Sequence, residues 1–122
     1  MMASRMVYLL NSLVTPINFD DIGTAVVVSY RLSVAEAAER AKAALGRGEL
    51  VSAVGHEGTA RVLGRLLGIE VKPERRAVYL KAGDAALQFF LKQRLPEGKV
   101  LTEEELATLP YWLIWSEVRS AK

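Results

Sequence analysis

The residues whose types and spacing best suit chemistry lie in Ser52-Ala53-Val54-Gly55-His56-Glu57-Gly58-Thr59-Ala60-Arg61, which holds the single histidine of the sequence. A run with helical apolar spacing, Val62, Leu63, Leu66 and Leu67, opens at Thr59 and places His56 beside a helix N-terminus. The first N–H groups of a helix have no partner within it and carry partial positive charge, so such a site favours phosphate. Gly55 and Gly58 allow the backbone positive φ values and a close approach to a ligand. The bland reading of the same stretch is a turn, with Thr59 as an N-cap.

Composition narrows the chemistry. A chain of 122 residues makes one domain, here 1–122 with residues 1–5 read as a flexible arm. A hydrophobic content of 51% with 25% charged residues is an ordinary globular balance. The net charge of +2 and pI of 9.0 suit a small polyanion and fall short of a general nucleic-acid coat, so no duplex DNA is expected as a partner. With no cysteine and one histidine, neither a disulfide framework nor a zinc set of the usual kind is available. No cofactor and no metal are expected. The pair Asp20-Asp21 has the donors for Mg²⁺ but sits in a loop, where adjacent carboxylates are more often solvated turn residues. The apolar run Met6 to Leu10 is too short for a signal sequence or a membrane span, so a cytoplasmic location away from the membrane is expected.

The elements that must position His56 follow from the pattern. Met6 to Leu10 reads as a buried strand ending at Asn11, and the β-branched Thr24 to Tyr30 as a second. Ser33 and Glu36 form a capping box for a helix whose apolar face is Val34, Ala37, Ala38, Ala41 and Leu45, with Gly46 as its stop. Gly48 to Val54 fits a short strand or a further helical turn. A helix from Thr59 closes at Gly68, and Ala77 to Ala82 with Ala85 to Leu91 read as an antiparallel hairpin around Gly83-Asp84. Thr102 caps a short helix with Glu103, Glu104 and Glu105 in its first turn, where acidic groups favour the macrodipole. Tyr111 to Val118, with Trp112 and Trp115, reads as an edge strand with an aromatic surface. Together these predict a single compact α/β domain, a mixed β-sheet flanked by helices.

A second stretch stands out between the predicted hairpin and the last helix: Gln93-Arg94-Leu95-Pro96-Glu97-Gly98-Lys99. Taken alone it is a charged surface loop. Taken in order with Gly55-His56-Glu57-Gly58-Thr59-Ala60, Leu67-Gly68-Ile69, Thr102-Glu103-Glu104 and the opening Val7-Tyr8-Leu9-Leu10-Asn11, it resembles the small viral and bacterial ring nuclease family first known as an anti-CRISPR protein of type III systems. The resemblance runs from about Val7 to Leu106.

That resemblance implies a specific activity. Family members cleave cyclic tetra-adenylate, the ring-shaped messenger of type III CRISPR complexes, to linear di-adenylate with a 2′,3′-cyclic phosphate end. They act as homodimers around a central sheet with helices and need no metal. By residue matching, His56 falls on the family's general acid and Arg94 and Glu97 on its active-site arginine and glutamate. Asn11, Ser12, Gly55, Gly58, Thr59 and Gln93 fall at or beside the ligand. After Asn11 the chain reads Ser12-Leu13-Val14-Thr15, and the resemblance leaves open which hydroxyl, if either, stands for the ligand-contacting serine of some relatives.

Elementary chemistry agrees with this reading. RNA carries its own nucleophile, so cleavage to a cyclic phosphate needs alignment of the 2′-OH, stabilisation of phosphorane charge, and an acid for the leaving 5′ oxygen. One chain offers one histidine, whereas a four-membered ring has two-fold symmetry and suits a C2 dimer bringing two. Two other classes are compatible with the same sequence: a non-catalytic protein of this fold that sequesters the ring, and a structural or DNA-binding protein. The second is disfavoured because Arg and Lys are interspersed with Asp and Glu.

Overall fold

Five strands of one sheet lie in the order β2-β5-β4-β1-β3, where β1 is Val7–Leu10, β2 Ala25–Leu32, β3 Leu50–Ser52, β4 Ala85–Leu91 and β5 Tyr111–Ser120. The structure is a computed structural model and describes residues 5–92 and 102–121. β1 runs parallel to both β3 and β4, and β5 is antiparallel to β4 and β2. The expected α/β domain with a mixed sheet is therefore the fold observed.

Helices α1 (Val34–Gly46) and α2 (Glu57–Leu67) pack on one face of this sheet. The predicted capping box is present: Ser33 Oγ accepts from Glu36 N at 3.1 Å, and Glu36 Oε1 accepts from Ser33 N at 2.9 Å. The buried face of α1 is narrower than expected, consisting of Ala37, Ala41 and Ala44, while Val34 and Leu45 are exposed. Small side chains bring the helix close to the strands, and the long residues at its margins then overhang them. α2 contributes Ala60, Val62, Leu63 and Leu67 to the same core, where they meet Val7, Leu9, Leu87 and Phe89. Each buried leucine there stabilises the fold by about 1.5–3 kcal/mol. The opposite face is covered in part by loops, through Ile17, Ile22, Val78 and Leu80 over Leu10, Ala86 and Val118. Gly48 to Val54 resolves as the strand β3. The short helix α3 (Glu103–Thr108) has Thr102 Oγ1 accepting from Glu105 N, as its sequence predicts.

Two expectations are overturned. No hairpin forms around Gly83-Asp84. The buried Asp84 carboxylate accepts from Lys81 N at 2.9 Å and Met6 N at 3.1 Å, which closes residues 81–84 on themselves and ties them to the start of β1. Ala77 to Ala82 then makes only the single parallel bridge Ile17↔Leu80, and its alternation reflects one side pressed on the loop-covered core. Nor is the last strand an edge. β5 lies between β2 and β4 with both backbone edges paired, and Trp115, 3% exposed, faces the helices. The Arg40 guanidinium covers the Trp115 ring at 4.8 Å, and Trp112 stacks on Phe90.

Trp115 Nε1 donates to Glu117 Oε2 at 3.0 Å. That hydrogen bond, helped by Arg119 and Arg5, holds the Glu117 carboxyl below the ordinary glutamate range against the opposing effect of burial. A depressed folded value means stability that is present above the ordinary range and lost as pH falls through the folded one. Glu117→Gln is expected to lower the Tm by roughly 2–4 °C at neutral pH and to flatten the acid limb of a Tm-against-pH curve. An unchanged acid limb in calorimetry would remove Glu117 from the origin of the acid sensitivity.

Candidate functional site

The carboxyl ends of the parallel strands β1 and β3, and of β4 beside them, converge on one place. In open α/β sheets this is where ligands bind, because backbone groups and loops there face outward without a further strand. Asn11 follows β1, the segment Ala53 to His56 follows β3, and Phe89, Phe90 and Leu91 end β4. A cavity of about 280 Å³ is lined by Asn11, His56, Thr59, Phe89, Phe90 and Leu91. A second, of about 630 Å³, shares Asn11 and His56 and adds Ala53, Gly55, Arg75, Arg76 and Ala77. His56 therefore stands between an aromatic-floored hollow and a basic one.

The structure changes how His56 is held. Helix α2 opens at Glu57, two residues earlier than the sequence predicts, and the N-cap is His56 itself, with φ −114° and ψ 122°. Its Nδ1 accepts from Thr59 N at 3.2 Å, and Thr59 Oγ1 lies at 3.2 Å from the same nitrogen. Imidazole replaces the usual Ser, Thr, Asp or Asn oxygen in accepting from the third helical N–H. A lone pair engaged at Nδ1 puts the proton of a neutral ring on Nε2. Among the described residues Nε2 has no protein partner, and His56 is exposed. The exposed imidazole thus keeps its second nitrogen available at a helix N-terminus whose dipole favours an anion.

Gly55 and Gly58 do not use the positive φ that glycine allows. Gly58 lies inside the first turn of α2. Gly55 meets a different demand: a Cβ there would stand 2.8 Å from Arg75 Cγ. Arg75 Nε reaches Gly55 O at 3.4 Å, and the segment carrying it is pinned beside β3 by Glu74 N to Val54 O at 2.8 Å and Ser52 Oγ to Lys72 O at 2.6 Å. The close approach that Gly55 permits is that of Arg75. Arg76 lies 3.8 Å from Glu74, with both side chains about half exposed.

Other expected residues are placed less directly at the cavity. Ser12 Oγ accepts from Val14 N at 3.0 Å within its own turn. Thr15 Oγ1 accepts from Gln88 Nε2 at 3.2 Å, and the buried Gln88 also takes a hydrogen bond from Ser116 Oγ at 2.7 Å. Gln88 thereby ties the loop after Asn11 to the middle of the sheet. Asp20 N donates to Asn18 Oδ1, a turn of the kind its loop predicted. Gln93, Arg94 and Glu97 lie outside the described residues. Among the described residues, no group of three or more His, Asp or Glu side chains converges as a metal site, and no helix is long and apolar enough to cross a membrane.

Arg75, Arg76, Phe89 and Phe90 were missed in the sequence. The signals were an adjacent basic pair and an adjacent aromatic pair, neither of which indicates proximity to His56.

A family model described as STIV B116-like matches residues 7–113. The chain belongs to the STIV B116-like family. Protein 26 of Sulfolobus islandicus filamentous virus is 38% identical over 111 residues, covering 88% of this chain and 89% of that protein. The ORF117 protein of Acidianus two-tailed virus is 36% identical over 113 residues, covering 92% of each. The solved structure of B116 of Sulfolobus turreted icosahedral virus is similar in fold, with a TM-score of 0.67 at 26% identity over 93% of this chain and 98% of that one. The B116-like match begins with β1 and reaches into β5, so every residue lining the two His56 cavities falls within it.

Proposed function

We propose that this B116-like protein is a metal-independent ring nuclease that cleaves cyclic tetra-adenylate to di-adenylate with a 2′,3′-cyclic phosphate end. The observation that carries the reading is the placement of the sole histidine: His56 caps α2 through Nδ1 at the carboxyl ends of the parallel strands and shares the lining of one cavity with Arg75 and Arg76. A phosphodiester of the ring held at the α2 N-terminus meets backbone N–H groups and guanidinium charge together. Phe90 offers an aromatic surface of the type on which bases stack.

In the reaction the ribose 2′ oxygen attacks the adjacent phosphorus and the bond from phosphorus to the 5′ oxygen breaks. His56, protonated on both nitrogens, delivers its Nε2 proton to the departing oxygen. The resemblance implies an active-site arginine at Arg94 and an active-site glutamate at Glu97; Arg94 serves the phosphate, and Glu97 takes the 2′-OH proton or orients Arg94 or a ribose hydroxyl. A guanidinium at the phosphate acts in the ground state and more strongly as phosphorane charge builds. The nucleophile belongs to the substrate, so the step requires no metal-bound water. A homodimer places one His56 at each of two symmetry-related phosphates of a ring bound across the two-fold axis.

Incubation with cyclic tetra-adenylate in excess EDTA, followed by chromatography and mass spectrometry, tests the proposal. The expected result is conversion to cyclic-phosphate di-adenylate at an undiminished rate, with one ring bound per two chains in native mass spectra of an inactive variant. Turnover lost in EDTA and restored by Mn²⁺ would replace the metal-free mechanism. A ring bound but left intact would identify a sequestering protein of the same fold.

A further inference from the structure

We infer that Thr59 is a positioning residue that holds His56 through both protonation states of its imidazole. Nδ1 lies 3.2 Å from two groups of this one residue, the backbone nitrogen and Oγ1. The two differ in what they accept. In the neutral ring the Nδ1 lone pair accepts from the Thr59 N–H, as an N-cap does. Once Nδ1 gains a proton it becomes a donor, and a backbone N–H offers it nothing. The hydroxyl does, since an O–H that donates to the neutral ring rotates and accepts from the charged one. Thr59 as a residue is 7% exposed.

Without that hydroxyl, the charged ring would set Nδ1–H against Thr59 N–H at the positive end of α2. The neighbouring charges do not relieve this. Arg75 and Arg76 line the cavity on the far side of His56, and Glu57, the adjacent carboxylate, is paired with Arg61. The ring would then either stay singly protonated or swing out of its cap. For its catalytic consequence the inference rests on the ring-nuclease reading, in which His56 must carry both protons before it gives one up. Its geometric content does not depend on that reading.

Because the chain has one histidine, its imidazole resonances are assigned without ambiguity in protein labelled with ¹⁵N-histidine. In the wild type the neutral ring is expected to carry its proton on Nε2. Thr59→Val keeps the backbone donor and removes the hydroxyl; it is expected to lower the ratio of doubly to singly protonated ring at mildly acid pH by roughly tenfold, the scale of one lost hydrogen bond to a charged group. Thr59→Ser should restore it. Single-turnover cleavage of cyclic tetra-adenylate at that pH should fall by a similar factor in Thr59→Val and recover in Thr59→Ser. A neutral ring protonated on Nδ1 in the wild type overturns the inference even if Thr59→Val does not fold. So does a Thr59→Val ring that protonates like the wild type. If the wild-type protein cleaves no ring, the nuclease reading fails on its own, and the spectra still decide the role of Thr59.

Discussion

His56→Asn is expected to slow cleavage of cyclic tetra-adenylate by roughly two to four orders of magnitude while changing ring affinity little, the usual scale for loss of a general acid. Asparagine is preferred to alanine because His56 has a second task. Its Nδ1 caps α2, and removing a cap costs about 0.5–2 kcal/mol, so His56→Ala would mix a frayed helix with a missing acid. Asparagine is among the best N-caps and puts a side-chain oxygen where Nδ1 accepts from Thr59 N, but it has no group that protonates near neutrality. Circular dichroism and single-turnover kinetics on the same samples separate the effects. A His56→Asn protein that cleaves the ring at the wild-type rate would leave His56 as a helix cap and nothing more.

The second large effect concerns stability. Asp84→Ala is expected to cost about 2–4 kcal/mol and to lower the Tm by on the order of 10 °C. The Asp84 side chain is 1% exposed, and its two oxygens accept from Met6 N and Lys81 N. Removing it leaves two partly buried donors without acceptors at the point where the 81–84 turn joins the start of β1. Asp84→Asn keeps one acceptor oxygen and should fall between the wild type and alanine in thermal melts. A melt of Asp84→Ala coincident with the wild type would mean that water replaces the carboxylate at both N–H groups.

Asp84 also shows where sequence reasoning reached its limit. Signals confined to a few neighbouring residues were legible: the Ser33 and Glu36 capping box, the β-branched run that became β2, and Thr102 before α3 all lie where the sequence predicts. The Gly83-Asp84 pair gave a hairpin signal because turn chemistry is the same whether or not the preceding segment finds a strand to pair with. Tyr111 to Val118 reads as an edge because an aromatic strand carries no local mark of how many partners it has. The start of α2 was displaced because histidine is not among the residues that ordinarily announce a cap. At the site, Asn11 and His56 do come together, Asn11 after a strand that the pattern revealed and His56 after β3, which the pattern leaves open between a strand and a helical turn. Arg75 reaches the same place only because Glu74 hydrogen bonds to Val54 and Gly55 lacks a Cβ, which are contacts across 20 residues.

The position of β5 in the sheet governs how the chain must be made. Among the described residues β2 pairs only with β5, joining Ala25 to Ser120 and Leu32 to Leu113, and β4 takes β5 as its other neighbour. A ribosome threading this chain outward releases β2, with its exposed Val26 and Val27, long before the strand that will shield its backbone exists. Throughout that interval a β-branched segment with open hydrogen-bonding edges waits in the crowded cell, the kind of exposure that invites pairing between nascent chains. The sheet closes at its middle only after synthesis has passed β5, so both the rate of translation through the second half of the message and the supply of chaperones should influence how much active protein a cell obtains.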